Sequence, residues 1–122
     1  MTKFLFRLFS GAYIAGVFLF ADSSVISDLS PFNPYSLLHI PLYGILTLLL
    51  FLSFVPLKSH STHLTYSTYS TRFLTVGLVA TIVGIADEIH QAYGPGRNAS
   101  AVDVFLDVVG IALCLFILWR LQ

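Results

Sequence analysis

The chain has 122 residues, of which 57% are hydrophobic and only 10% are charged, and its mean hydropathy is +0.86. Soluble domains carry about 25% charged residues, so this composition excludes an ordinary soluble protein and predicts an integral membrane protein. The formal net charge is zero, so no basic field points to nucleic acid as a partner. The length allows a single domain, residues 1–122, and the only cysteine, Cys114, excludes an internal disulfide framework.

Four apolar stretches are each long enough to cross a bilayer as a helix, which takes about 20 residues. Backbone polar groups cannot stay unpaired in lipid, and continuous apolarity over this length favours helices rather than barrel strands. The predicted fold is therefore an all-α integral membrane protein, a bundle of four transmembrane helices. The predicted spans run from about Phe4 to Ala21, Leu37 to Val55, Phe73 to Ala92 and Val102 to Trp119.

The first stretch has a second interpretation, because a charged start, an apolar core and small residues near Ala21 also describe a secretory signal peptide. Leu19, however, stands where a cleavage site requires a small residue. The apolar run also begins before Arg7, inside what would be the charged region. We therefore expect a retained span.

Three polar segments connect the spans. Residues 22–36 contain prolines that keep a helix from continuing, and residues 94–99 form a tight turn. Residues 56–71 are rich in Ser and Thr, and we predict that they form a polar linker. His60 and His63 lie in that linker, where solvated histidines are commoner than metal ligands.

The distribution of positive charge predicts the orientation in the membrane. Five of the six Lys and Arg residues fall on one side of the predicted bundle: Lys3, Arg7, Lys58, Arg72 and Arg120. Only Arg97 falls on the other side. The positive-inside rule then makes this a multi-pass protein of the cell membrane with both termini in the cytoplasm.

Polar side chains are concentrated at the predicted outer end of the bundle. Residues 87–97 read Asp-Glu-Ile-His-Gln-Ala-Tyr-Gly-Pro-Gly-Arg and end the third span. The same topology brings His39, Asp103 and Asp107 to that end, so a single pocket is predicted. Ionisable groups inside a membrane are costly, which favours a functional site over mere packing.

Helical spacing turns these groups toward one another. His39 and Tyr43 are four residues apart and share a face of the second span. Glu88 shares a stripe of the third span with Gly84, and Gly110 lies on the polar stripe of the fourth span. Small residues on such stripes let helix backbones approach closely, so the polar faces should meet inside the bundle.

Each polar residue also has a purely structural interpretation. Asp103 follows Ser100 in an S-x-x-D capping box, which would satisfy the first amides of the fourth span. Tyr43 can belong to an aromatic belt at the membrane interface, and Arg97 can extend to lipid headgroups. Asp87 and Arg97 can form an ordinary ion pair. The whole set exceeds what capping and headgroup contacts require.

Two chemistries suit these residue types. A guanidinium and the free amides of a helix N-terminus can capture a phosphate or carboxylate. Carboxylates and imidazoles can share protons or bind a divalent cation, although no pair has a diagnostic metal spacing. The candidate acid–base or ion residues are Asp87, Glu88, His90 and Asp103. The candidate binding residues are Arg97, Gln91, His39, Tyr43 and Asp107.

The same residues carry a resemblance to a known family. Residues 87–97 match the pattern D-E-x-H-Q-x-[FY]-x-P-x-R, and His39 with Tyr43 matches an earlier H-x3-Y pattern. Asp103 and Asp107 fall in a following D-x3-N-x2-G stretch. In these motifs the chain resembles the VanZ-like family, which is named for a teicoplanin-resistance protein.

The resemblance covers about Leu37 to Gly110 and implies a small bacterial envelope protein with four spans. The chain departs from the family pattern in two places. An Asp-Lys pair that often precedes the histidine is replaced by Tyr35 and Ser36, and the family Asn is Asp107 here. The resemblance supplies a resistance phenotype for the namesake but no reaction, so it does not decide whether the chain is an enzyme.

The first functional hypothesis is a membrane protein that binds, or acts on, a lipid-linked or other anionic envelope component at the outer leaflet. In that hypothesis its presence influences sensitivity to teicoplanin. The partners are then the lipid bilayer and a lipid-linked phosphate. One alternative is a proton- or ion-coupled transporter subunit that oligomerises, and another is a non-catalytic membrane scaffold or assembly factor.

Overall fold

The computed structural model describes residues 2–21, 34–54, 66–94 and 99–121, and all of its regular structure is helical. A short 3₁₀ turn, Pro34–Leu38, precedes the second helix. The four helices are α1 (Thr2–Ala21), α2 (His39–Phe54), α3 (Tyr66–Tyr93) and α4 (Ala101–Arg120). The predicted all-α fold is thus confirmed.

Three segments among the described residues are long and apolar enough to cross a membrane: Ser36–Phe54, Ser70–Tyr93 and Ala101–Arg120. They coincide with the second, third and fourth predicted spans. The helix α1 has 20 residues and covers the first predicted span, whose crossing of the membrane stays a prediction.

The prediction of a polar linker as far as Thr71 is wrong at its end. The helix α3 begins at Tyr66, so its first turns are built from the Ser- and Thr-rich sequence. No glycine or proline lies between Pro56 and Gly77, and Ser and Thr cost a helix only a few tenths of a kcal/mol each. The apolar helix therefore continues backward through polar residues. His60 and His63 lie outside the described residues.

Helices that follow one another along the chain run antiparallel. In α3 and α4, Gly77 faces Leu115 while Glu88 faces Ser100. The helix α2 packs against each of the other three helices and makes its most extensive contact with α4. Its buried side chains form the core together with residues of α3 and α4: Tyr43, Leu46, Leu50, Phe51, Val76, Ala80 and Ile111.

The outward surface of α3 is apolar, as a lipid-facing helix requires. Its large exposed side chains recur every three or four residues, which places them on one stripe: Leu74, Leu78, Ile82, Ile85 and Ile89. The opposite stripe of the same helix carries the buried carboxylates Asp87 and Glu88. Rotation of α3 about its axis is therefore set by the contrast between these two faces.

Two glycines bring the helices into close contact at the polar end of the bundle. A Cβ at Gly110 would overlap the backbone carbonyl of Ile40, so α2 and α4 could not approach as they do with any larger residue there. A Cβ at Gly84 would lie 2.8 Å from the Asp107 carboxylate. Both contacts agree with the expected role of small residues on the polar stripes.

Candidate functional site

The charged groups of the described residues are separated along the bundle. The carboxylates lie at the end of α3 and the start of α4: Asp87, Glu88, Asp103 and Asp107. The Lys and Arg side chains of the described residues lie near the opposite helix ends: Lys3, Arg7, Arg72 and Arg120. The carboxylates therefore have no guanidinium or ammonium partner in the part of the chain that the structure describes.

His39 and Asp107 form the one ion pair seen among the described residues. The Nδ1 atom of His39 lies 2.7 Å from Oδ1 of Asp107, which joins the first turn of α2 to α4. The Asp107 side chain is buried, whereas His39 keeps 17% of its side chain exposed. The His39 ring stacks on Tyr43 one turn below, with the ring centroids 6.2 Å apart.

Asp87 is held by two donors that share one of its oxygen atoms. The Tyr43 hydroxyl donates to Oδ2 of Asp87 over 3.4 Å, and Nε2 of Gln91 donates to the same atom over 3.1 Å. The Asp87 residue is only 2% exposed. Because both donors bond to Oδ2, Oδ1 of this buried carboxylate receives no hydrogen bond from the described residues.

Glu88 accepts a backbone hydrogen bond from the next helix. The amide of Ser100 donates to Oε2 of Glu88 over 2.8 Å, across the turn that joins α3 and α4. Ser100 is also the N-cap of α4, and its hydroxyl accepts from the amide of Asp103 over 3.3 Å. Ser100 therefore bonds to α3 through its amide and to α4 through its hydroxyl.

Half of the predicted capping box is formed. In a complete box the third residue of the helix returns a hydrogen bond to the N-cap amide. Here that amide is taken by Glu88, so the Asp103 carboxylate is not used for capping. Capping of α4 thus explains the hydrogen bond of the Asp103 amide but gives no role to the Asp103 carboxylate.

Four buried carboxylate oxygens receive no hydrogen bond within the described residues: Asp87 Oδ1, Glu88 Oε1, Asp103 Oδ1 and Asp107 Oδ2. Buried polar atoms without partners are rare because each costs about 1–3 kcal/mol, and more when charged. Oxygens in this state can accept protons or coordinate a cation. The arrangement is therefore suited to cation or proton chemistry.

Three of the candidate residues bring possible metal-ligand atoms close together. One potential ligand atom from each of His39, Glu88 and Asp103 lies within 4.8 Å of the other two. Each residue comes from a different helix, so only the folded bundle creates the group.

A family model described as VanZ/LLP1 matches residues 14–122. The chain belongs to the VanZ/LLP1 family. The match extends the core of the motif resemblance, residues 37–110, to most of the chain. No curated protein and no solved structure matches the chain significantly.

Seven of the nine residues predicted from sequence lie together in this family member: His39, Tyr43, Asp87, Glu88, Gln91, Asp103 and Asp107. His90 is oriented differently, with its ring 5.4 Å from that of Phe18 on α1. Arg97 lies outside the described residues, so its place beside the pocket stays a prediction. The functional assignment of every residue in the set is likewise a proposal.

Sequence reasoning missed one participant, the backbone amide of Ser100. The S-x-x-D pattern predicts that the first amides of α4 are satisfied locally, whereas the Ser100 amide donates to Glu88 on α3. The signal that could have found the contact is the short distance in sequence between the end of α3 at Tyr93 and Ser100, which keeps the start of α4 near the end of α3.

Proposed function

We propose that this VanZ/LLP1 family member binds a lipid-linked, phosphate-bearing component of the bacterial cell envelope at the polar end of its helix bundle. The observation that carries the proposal is the group of buried carboxylates at the predicted pocket, four of whose oxygens receive no hydrogen bond from the described residues, at one end of long apolar helices. The positive-inside pattern predicts that this end faces the outer leaflet.

The surface beside the pocket suits a ligand with an apolar chain. On α4, Val102 and Phe105 flank Asp103 and are 63% and 65% exposed. Asp103 lies between them in sequence and belongs to the pocket. A lipid that packs along this surface could therefore place its polar head near the pocket while its chain stays in the membrane.

The acidic pocket repels a bare phosphate, so a positive group must lie between the two. Arg97 is the cation nearest in sequence, and its planar guanidinium can hold a phosphate through two parallel hydrogen bonds. A cation held by the carboxylates can act in the same way. The amides of Ser100 and Asp103 already donate to Glu88 and to the Ser100 hydroxyl, so the phosphate is bound through the cation instead.

Lipid binding can be tested by native mass spectrometry of the full chain in lipid discs that contain a polyprenyl phosphate. The unmodified protein should retain the phosphate lipid and not the matching polyprenol. Arg97→Ala should reduce retention at least tenfold, and Arg97→Lys should restore part of it. Arg120→Ala is the matched control, because it removes an exposed arginine at the other end of α4. Equal retention of lipid and polyprenol would exclude the proposed ligand class.

A role in teicoplanin sensitivity is part of the same proposal. Expression of the protein in a teicoplanin-sensitive bacterium should raise the concentration of teicoplanin that prevents growth. Arg97→Ala should lose this effect at equal membrane abundance. If teicoplanin sensitivity does not change on expression, the protein does not share the resistance phenotype of the family's namesake, whether or not it binds the lipid.

The buried carboxylates also favour a second candidate, a proton- or ion-coupled transporter. Glu88 is 4% exposed and keeps one oxygen without a donor in the described residues, a state that suits a group that takes up and releases cations. Flux into proteoliposomes driven by a pH gradient and abolished by Glu88→Gln would support transport. A scaffold predicts instead that Ala substitutions in the pocket lower thermal stability and cellular activity in parallel.

A further inference from the structure

We propose that His39, Glu88 and Asp103 form a binding site for a first-row divalent cation, either zinc or manganese. The three residues offer one ligand atom each within 4.8 Å of one another. Ligands about 2.0–2.2 Å from an ion lie about 3–4.4 Å apart. Small side-chain rotations are therefore enough to close the site around an ion.

The unsatisfied oxygens are an independent observation that points to a ligand. Glu88 is 4% exposed, and its Oε1 receives no hydrogen bond from the described residues. Asp103 Oδ1 is in the same state. Since Oε2 of Glu88 is occupied by the Ser100 amide, Oε1 is the atom left for coordination. A cation would satisfy both oxygens at once.

Asp107 prepares His39 for this role. A histidine that binds a metal through one ring nitrogen commonly holds a carboxylate with the other. Here Nδ1 of His39 contacts Asp107 over 2.7 Å, which leaves Nε2 for an ion. Asp107 is 1% exposed and its side chain lies against Gly84, so the pair is held firmly. Asp107 is a positioning residue and not a ligand in this proposal.

Charge and ligand type select the ion. Glu88 and Asp103 bring two negative charges, and the Lys and Arg side chains of the described residues lie at the other end of the bundle. A divalent cation balances those charges. Calcium and magnesium prefer oxygen ligands throughout, whereas an imidazole with carboxylates suits zinc or manganese.

This inference goes beyond the proposed function and does not require it, because the ion is held by side chains and not by lipid. If both proposals hold, an open coordination position on the ion could meet the phosphate. A failure of lipid binding would leave the ion site intact, and the two proposals are therefore tested separately.

The ion site can be tested by isothermal titration with Zn²⁺ and Mn²⁺ on the full chain in detergent without added lipid. The protein should carry no polyhistidine tag and be freed of metal with a chelator. The expected result is one ion per chain for at least one of the two metals. Glu88→Gln and Asp103→Asn should each weaken binding at least tenfold. Asp107→Asn should weaken it about 10–100-fold, as loss of an outer carboxylate does at other metal sites.

The matched control is the double variant His60→Ala with His63→Ala, which removes two imidazoles outside the described residues and should leave the affinity unchanged. A loss of binding in the control, or unchanged binding in both Glu88→Gln and Asp103→Asn, would overturn the site. Circular dichroism must first show that each variant keeps its helices.

If the variants do not fold, measurements on the unmodified protein still test whether the ion site exists. X-ray absorption of the bound metal should show one imidazole and otherwise oxygen ligands. Where Asp107→Asn does keep its helices, it should also alter the visible absorption of Co²⁺ bound in place of the native ion, because the change reaches the ion through His39. A shell with sulfur from Cys114, a shell with two or more imidazoles, or no ion bound at micromolar concentration would refute the proposal.

Discussion

The backbone amide of Ser100 donates to the Glu88 carboxylate over 2.8 Å, and this bond joins the end of α3 to the start of α4. The helices α3 and α4 run antiparallel, so the first carboxylates of α4 lie beside the last ones of α3. Because Glu88 takes the N-cap amide, the Asp103 side chain is not engaged by the cap. The bond thus joins the two helices and leaves the Asp103 carboxylate available in the pocket.

Removal of the Glu88 acceptor should destabilise the bundle. Glu88→Ala leaves the Ser100 amide of this part-buried hydrogen bond without its partner, and the cost should lie toward the lower end of the about 1–3 kcal/mol that a fully buried donor would lose. Glu88→Gln keeps a side-chain oxygen at the same position and should cost less. The free energy of unfolding in detergent, measured with a chelator present to exclude ion binding, distinguishes them. Equal losses would show that the hydrogen bond is not what holds the turn.

Gly110→Ala should disrupt the packing of α2 against α4, because the added methyl group would overlap the Ile40 carbonyl. Overpacking of this kind costs about 1–3 kcal/mol. Gly16→Ala is the control, since no heavy atom lies within 4 Å of a Cβ built at Gly16. Thermal unfolding should show a lower midpoint for the Gly110 variant only. Similar midpoints for both would mean that the helices can separate without loss.

His39 and Asp107 should be energetically coupled. His39→Ala alone removes the partner of the Asp107 carboxylate, which is 1% exposed. When His39→Ala is combined with Asp107→Asn, the group that loses its partner is a neutral amide. Residues in direct contact show coupling energies of about 0.5–3 kcal/mol in double-mutant cycles. Unfolding of the two single variants and the double variant, in the presence of a chelator, gives this value. Additive effects would indicate that the pair contributes nothing to stability.

The predicted orientation can be checked by cysteine labelling in a Cys114→Ser background. Ala99→Cys introduces a thiol at an exposed residue beside the pocket, and Leu121→Cys introduces one at the other end of α4. A reagent that does not cross the membrane should label the first in intact cells and the second only after permeabilisation. The reverse pattern would place the pocket on the cytoplasmic side and contradict binding at the outer leaflet.

The hydropathy and charge pattern predicts the helical architecture because lipid leaves the backbone few alternatives. The end of α2 at Phe54 lies within one residue of the predicted Val55. The start of α3 could not be predicted in this way. Its first turns are polar, and hydropathy locates only the part of a helix that lies in the apolar layer. Sequence reasoning therefore finds those helix ends that coincide with the edge of the apolar layer.

The sequence by itself determined the residue types of the pocket and their position at one end of the bundle, since helical periodicity and span order are local properties. The tertiary structure alone decided how those residues pair. His39 joins Asp107, and one oxygen of Glu88 accepts from the backbone amide of Ser100. Hydrogen bonds act over about 3 Å, so their partners depend on the rotation and depth of each helix. The spacing of residues along one helix gives the face that the helix buries, whereas its depth and exact rotation are set by packing, such as the contact of Gly110 with Ile40.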